Sequence, residues 1–236
     1  MPDETPLSVH HPEGGAPVGG VVVVQEAFGV TDHIEDVCDR LAAAGWLAVA
    51  PHLFWRTGDP ILPYDDFSQV APHAGALKAE DVLADVDAAL DYLAGAGIPA
   101  DSAGVVGFCM GGTIAFAVAT RRPVGAAVTY YGGGVAQGRF GFPSMLDMAP
   151  DLRAPWLGLY GDRDRGIPVE DVERLAAATA ALDVPTEVVR YPDAGHGFNR
   201  DGGDSYEEAA ATDGWMRMLD WFADNLTTGA VESPGL

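Results

Sequence analysis

Gly107-Phe108-Cys109-Met110-Gly111-Gly112 is the stretch on which the reading of this chain turns. The β-branched run Gly104-Val105-Val106 leads into it, and the small-residue run Thr113-Ile114-Ala115-Phe116-Ala117-Val118-Ala119 leaves it. A short buried strand is expected to become a helix across one cysteine. The G-x-C-x-G spacing belongs to a sharp strand-to-helix turn that presents a nucleophile, with cysteine where serine is more usual. Glycines are needed because side chains there would strike the adjoining strand and helix. The free N–H groups at the helix start favour a thiolate, the reactive form of cysteine. Taken alone, the stretch also describes a small buried thiol in an ordinary turn, since free cysteine is among the most buried residue types.

Working outward, apolar runs alternate with helical patterns from residue 21 onward. Val21-Val22-Val23-Val24-Gln25, Trp46-Leu47-Ala48-Val49-Ala50, Ala126 to Tyr131, Trp156 to Tyr160 and Glu187 to Tyr191 read as strands. Residues 32–44, 80–95, 169–182 and 205–226 read as helices, and Asp32 with Glu35 is placed to cap the first of them. This alternation implies an α/β fold with a mostly parallel central sheet and helices on both faces. One domain is expected over 1–236, with an edge segment in 1–19 (a short strand near Leu7-Ser8-Val9) and a disordered tail in 227–236. Residues 51–79 and 132–153 are loop-rich. The first, with His52, Trp55, Tyr64 and Phe67, suits a binding-site wall.

Composition narrows the partners. The net charge is −22 and Lys78 is the only lysine, which disfavours nucleic acid and anionic membranes. Any anion site must be local and built from arginine. No apolar run approaches the ~18 residues that span a bilayer, and the acidic N-terminus lacks a signal-peptide core, so a cytoplasmic protein is expected. Two cysteines form neither a disulfide framework nor a thiolate metal site. Cys38 falls in step with Ile34, Val37 and Leu41, and reads as core. No metal or organic cofactor is expected. A monomer or homodimer is the expected state.

In parallel sheets, functional residues gather at the C-terminal ends of strands. That rule selects Glu26, His52, Cys109, Asp162 or Asp164, and His196. The order Cys109, then an aspartate, then His196 is the order nucleophile, acid, histidine of α/β-hydrolases. Histidine would take the thiol proton while the carboxylate holds the ring. The acid is either Asp162 or Asp164, and Asp164, closer to the helix that Pro168 opens, is favoured. The N–H of Met110, and that of Ala27 from the loop after the first strand, are the expected oxyanion donors. Glu26 should lie near the elbow and shift the protonation of the thiol or the histidine.

Five stretches together resemble the dienelactone hydrolase family of α/β-hydrolases. They are Gln25-Glu26-Ala27-Phe28-Gly29-Val30, Pro51-His52-Leu53-Phe54-Trp55-Arg56, the Cys109 elbow, Tyr130-Tyr131-Gly132, and Gly195-His196-Gly197-Phe198-Asn199-Arg200. The resemblance implies a Cys109–His196–Asp164 triad, with Glu26 keeping Cys109 poised until substrate binds. It implies that Arg200 grips a substrate carboxylate, with Phe28, His52, Trp55, Tyr131 and Phe198 as further substrate-side residues. Position 52 is His where the family usually has Asp, and segment 57–79 lacks the family's second arginine. The activity implied is hydrolysis of a small lactone or ester, of which a dienelactone (carboxymethylenebutenolide) is the type. A broader carboxylesterase or thioesterase is one alternative. A catalytically silent binding or redox-sensing relative is the other.

Overall fold

The computed structural model describes residues 4–226, so the segment expected to be a disordered tail lies outside the described residues. Among the described residues, seven strands form one sheet: β1 (Leu7–His10), β2 (Gly20–Val24), β3 (Leu47–Pro51), β4 (Ala103–Phe108), β5 (Ala126–Tyr130), β6 (Trp156–Gly161) and β7 (Thr186–Tyr191). The spatial order is β1-β3-β2-β4-β5-β6-β7. All neighbours are parallel except β1, which runs antiparallel to β3 with Leu7 opposite Pro51. The helices are α1 (Asp32–Ala43), α2 (Val70–Ala74), α3 (Ala79–Gly95), α4 (Met110–Arg121), α5 (Met145–Met148), α6 (Val169–Ala180) and α7 (Glu208–Asn225).

Every residue of β2, β3, β4, β5 and β6 is buried, which explains their unbroken apolar runs. A parallel strand covered on both faces has no solvent side on which to place polar residues. On one face α1 meets α7, where the Arg40 guanidinium lies 3.7 Å from the Trp215 ring. On the other, α3 and the end of α4 are joined by the Arg122–Asp87 ion pair at 2.6 Å. Cys38 is fully buried in α1 beside Ile34, Val37 and Leu41, as the helical spacing predicts.

Two local expectations are corrected. Asp32 is the first residue of α1 rather than its cap; Thr31 occupies the cap position and makes no cap bond. Its hydroxyl is instead 2.9 Å from the Tyr64 hydroxyl. Glu35 does not close a capping box either. Its carboxylate accepts from Ser8 Oγ at 2.7 Å and pairs with His10 Nε2 at 2.7 Å, holding the edge strand β1 to α1. The loop-rich segments also carry short helices, α2 in 51–79 and α5 in 132–153.

The chain runs from β2 outward to β3, then returns to place β4 on the other side of β2. A crevice opens at such a reversal, outside the carboxyl ends of the two strands. Glu26 follows β2 and Cys109 follows β4, and these strands are paired, with Val24 opposite Gly107.

Candidate active site

Cys109 has φ 53° and ψ −113°, a conformation that costs a residue with a side chain about 1–3 kcal/mol. The surroundings enforce it. A Cβ at Gly111 would overlap the Val24 carbonyl and sit 2.6 Å from that of Gln25. One at Gly112 would lie 2.8 Å from the Tyr130 carbonyl. These glycines let α4 start against the ends of β2 and β5. Hydrogen bonds lock the turn: Cys109 N donates to Tyr130 O at 3.0 Å, Thr129 Oγ1 to Gly112 O at 2.9 Å, and Thr113 Oγ1 to Gly133 O at 2.7 Å. The thiol is half-buried at the start of α4.

His196 stands in the loop after β7, next to Gly197, whose φ of +76° makes the turn. Its Nδ1 is 2.6 Å from Asp164 Oδ2, and the other Asp164 oxygen accepts from Gly166 N at 2.8 Å. The alternative acid, Asp162, is engaged elsewhere. Both of its oxygens accept from the Arg190 guanidinium, at 2.7 and 2.8 Å. Burial disfavours the charged form of His196, but hydrogen bonds and charge from Asp164 and Cys109 outweigh it and lift the ring to about 10. These contacts favour the doubly protonated imidazole.

Glu26 is buried, and burial raises its carboxyl above the usual range, against opposing pulls from Tyr64, His196 and Arg200. The Tyr64 hydroxyl donates to Glu26 Oε2 at 2.8 Å. The same ring packs on Phe28 at 4.2 Å and carries the Arg200 guanidinium over its face at 3.8 Å. Arg200 has no acidic partner within 4 Å among the described residues. Tyr131, φ 39°, is buried and lies with its ring 5.1 Å from that of His196.

Cys109 and His196 lie on the divide between two cavities. The smaller, about 230 Å³, is lined by Glu26, Phe28, Tyr64 and Arg200. The larger, about 540 Å³, takes in Ala27 and Met110 and is walled by apolar side chains. The N–H groups of Ala27 and Met110 have no protein acceptor among the described residues.

Other candidate residues lie elsewhere. His52 Nδ1 pairs with Asp59 at 2.7 Å and its Nε2 is 3.1 Å from Ser8 Oγ, so it ties β1 to the loop after β3. Trp55 Nε1 donates at 3.0 Å to the buried Asp85, which also binds Arg56 and Thr5. Neither His52 nor Trp55 lines the two cavities. Phe198 is fully buried behind the site, packed on Tyr130, Tyr131 and Tyr191. Sequence reading did not single out Arg139, Phe140, Arg165 and Ile167, all on the larger cavity. Phe140 sits with positive φ between Arg139 and Gly141, and an aromatic in so tight a turn is the only sequence signal it offered.

The strand order, the strained turn after β4, and the aspartate–histidine pair carried by the loops after β6 and β7 define an α/β-hydrolase. Comparison with known proteins narrows the class. The family description "Dienelactone hydrolase family" matches residues 8–226, and the chain belongs to that family. A Salmonella typhimurium protein named "Putative carboxymethylenebutenolidase" is 45% identical over 217 residues, covering 89% of this chain and 78% of its own. A protein of the same name from Methylorubrum extorquens is 42% identical over 215 residues, covering 89% and 74%. The "Crystal Structure of Putative Dienelactone Hydrolase from Klebsiella pneumoniae" superposes with a TM-score of 0.86 at 41% identity, covering 93% of this chain and 92% of that one. The chain is thus a hydrolase. No helix among the described residues is long and apolar enough to cross a membrane.

Proposed function

We propose that the chain hydrolyses a small lactone or ester carrying a carboxylate, with a dienelactone (carboxymethylenebutenolide) as the type substrate. The observation that carries this reading is the meeting of Cys109, the Asp164–His196 pair and the unpaired Arg200 around one small cavity. Arg200 meets the carboxylate, and its stacking on Tyr64 fixes the direction of its fork. Glu26 accepts from Tyr64, and burial favours its neutral form, which limits the negative charge beside an incoming anion.

The reaction runs through a thioester. The Cys109 thiolate attacks the carbonyl carbon, and the carbonyl electron pair moves onto oxygen, where the N–H groups of Ala27 and Met110 receive it. Collapse breaks the bond to the alcohol oxygen, which takes the proton from His196 Nε2. The ring is then neutral and held by Asp164 in the tautomer that can accept a proton. It removes a proton from water as the water attacks the thioester, and the carboxylic acid leaves as the thiolate returns. Each group ends the cycle in its starting state, with His196 again doubly protonated.

The test is a panel of lactones and esters, with and without a carboxylate, run beside Cys109→Ala. Turnover should be lost in the variant, with the fold unchanged by circular dichroism. A variant that keeps the wild-type rate refutes the mechanism.

A further inference from the structure

The smaller cavity suffices for a compact lactone, which leaves the larger one, also open to Cys109 and His196, without an occupant. At about 540 Å³ the larger cavity has the size and apolar lining of a ligand site rather than of a solvent channel. Val70, Met110, Phe140 and Ile167 wall it, and Phe67, 65% exposed, stands where both cavities meet. Its ring packs edge-on to Phe28 at 5.2 Å, yet most of its surface stays bare beside a nucleophile, where a ligand's apolar group could cover it. Three arginines line the same cavity. Arg163 is paired with Asp193, whereas Arg139 and Arg165 have no acidic partner within 4 Å among the described residues. In a chain of net charge −22 most guanidinium groups find a carboxylate, so two exposed unpaired ones on one cavity form a local positive field.

We propose that this larger cavity binds the alcohol side of an open-chain ester: a bulky, flat apolar group bearing a second anionic group at its outer end, read by Arg139 and Arg165. The inference rests on the ester-hydrolase reading above and names a wider substrate class for the same site. Its direction follows from the chemistry. After the thioester forms, the alcohol must depart and water must reach the acyl carbon beside His196. The large cavity provides that route. The small one, lined by Tyr64 with Arg200 stacked on it, retains the acyl arm. The departing oxygen takes its proton from His196, and a water molecule replaces it, so one ester and one water give one acid and one alcohol.

Three esters with the same acetyl group test the assignment in the full-length protein: phenyl acetate, 2-naphthyl acetate and 2-naphthyl acetate sulfonated at position 6. kcat/KM is expected to rise about tenfold from phenyl to naphthyl, as added apolar area finds a surface, and again with the sulfonate. In the double variant Arg139→Gln/Arg165→Gln the ratio of sulfonated to neutral naphthyl ester should fall about tenfold. In the parent protein that ratio should shrink with added salt. A second readout needs no turnover: 6-hydroxynaphthalene-2-sulfonate should bind Cys109→Ala by fluorescence titration, and bind it more weakly once both arginines are replaced. A flat series across the three esters, an unchanged ratio in the double variant, or no binding of the naphthol sulfonate overturns the proposal. If a carboxylate-bearing lactone is turned over while the series stays flat, only the second cavity's assignment fails. If binding is seen but no ester or lactone is hydrolysed, the cavity stands and the hydrolase reading fails.

Discussion

Two neighbouring aspartates, two residues apart, should respond very differently to the same substitution. In Asp164→Asn the acceptor 2.6 Å from His196 Nδ1 becomes an amide that either donates toward that nitrogen or accepts more weakly from it. The bond to Gly166 N at 2.8 Å can persist, so the loop should keep its shape. His196 would lose a principal support of its raised pKa, which should move down from about 10. The neutral ring would also favour the wrong tautomer, so kcat should fall on the order of 10³-fold, about 4 kcal/mol of barrier. In Asp162→Asn the change falls on an ion pair with Arg190 at the edge of the sheet. The cost there is about 0.5–1 kcal/mol of stability, with kcat within about twofold of the parent. Steady-state kinetics on one activated ester, with an NMR titration of the His196 ring in both variants, measure the contrast. Equal losses in the two variants, or a His196 titration unmoved by Asp164→Asn, would refute the assigned acid.

Three further outcomes follow from the same geometry. Arg200→Gln should lower kcat/KM for a carboxylate-bearing lactone about 10²-fold and change a neutral ester of similar size far less, a difference that paired kinetics would detect. Glu26→Gln bears on pH: a folded pKa raised above the unfolded value means the folded state prefers the proton, so this contribution to stability is present at low pH and lost as pH rises through the folded pKa. The Gln variant should therefore lose less melting temperature than the parent between acid and pH 8; an identical pH profile would contradict a carboxyl raised by burial. Gly111→Ala should cost about 3 kcal/mol or prevent folding, because the new methyl meets backbone carbonyls that cannot yield, and a urea midpoint equal to the parent's would show the elbow to be looser than drawn.

The sheet was legible because its central strands are covered on both faces and so consist of apolar runs; four valines in β2 leave little choice. The elbow was legible because its glycines answer to steric demands that any such turn imposes. Asp162 and Asp164 could not be separated by order alone, because the partner that occupies Asp162 is Arg190, a strand away in sequence and adjacent only through the β6–β7 pairing. His52 illustrates the opposite case. It lies at a strand's C-terminal end, where functional residues collect, but Asp59 and Ser8 take both ring nitrogens. Asp32 looked like a helix cap because the motif is local, whereas the Thr31 hydroxyl is engaged by Tyr64, a residue 33 positions away. The wall of the larger cavity was unreadable for the same reason: Val70, Phe140 and Ile167 come from three separate loops or short helices.

The placement of the two cysteines gives the protein a built-in counter. Cys38 is sealed in α1, where burial pushes its thiol far above the usual range, while Cys109 is reachable from two cavities. A small alkylating reagent added to folded protein should consume one equivalent of thiol per chain, and a second only after denaturation. The first equivalent measures how many molecules in a preparation present an open elbow, so rates can be expressed per working site instead of per milligram.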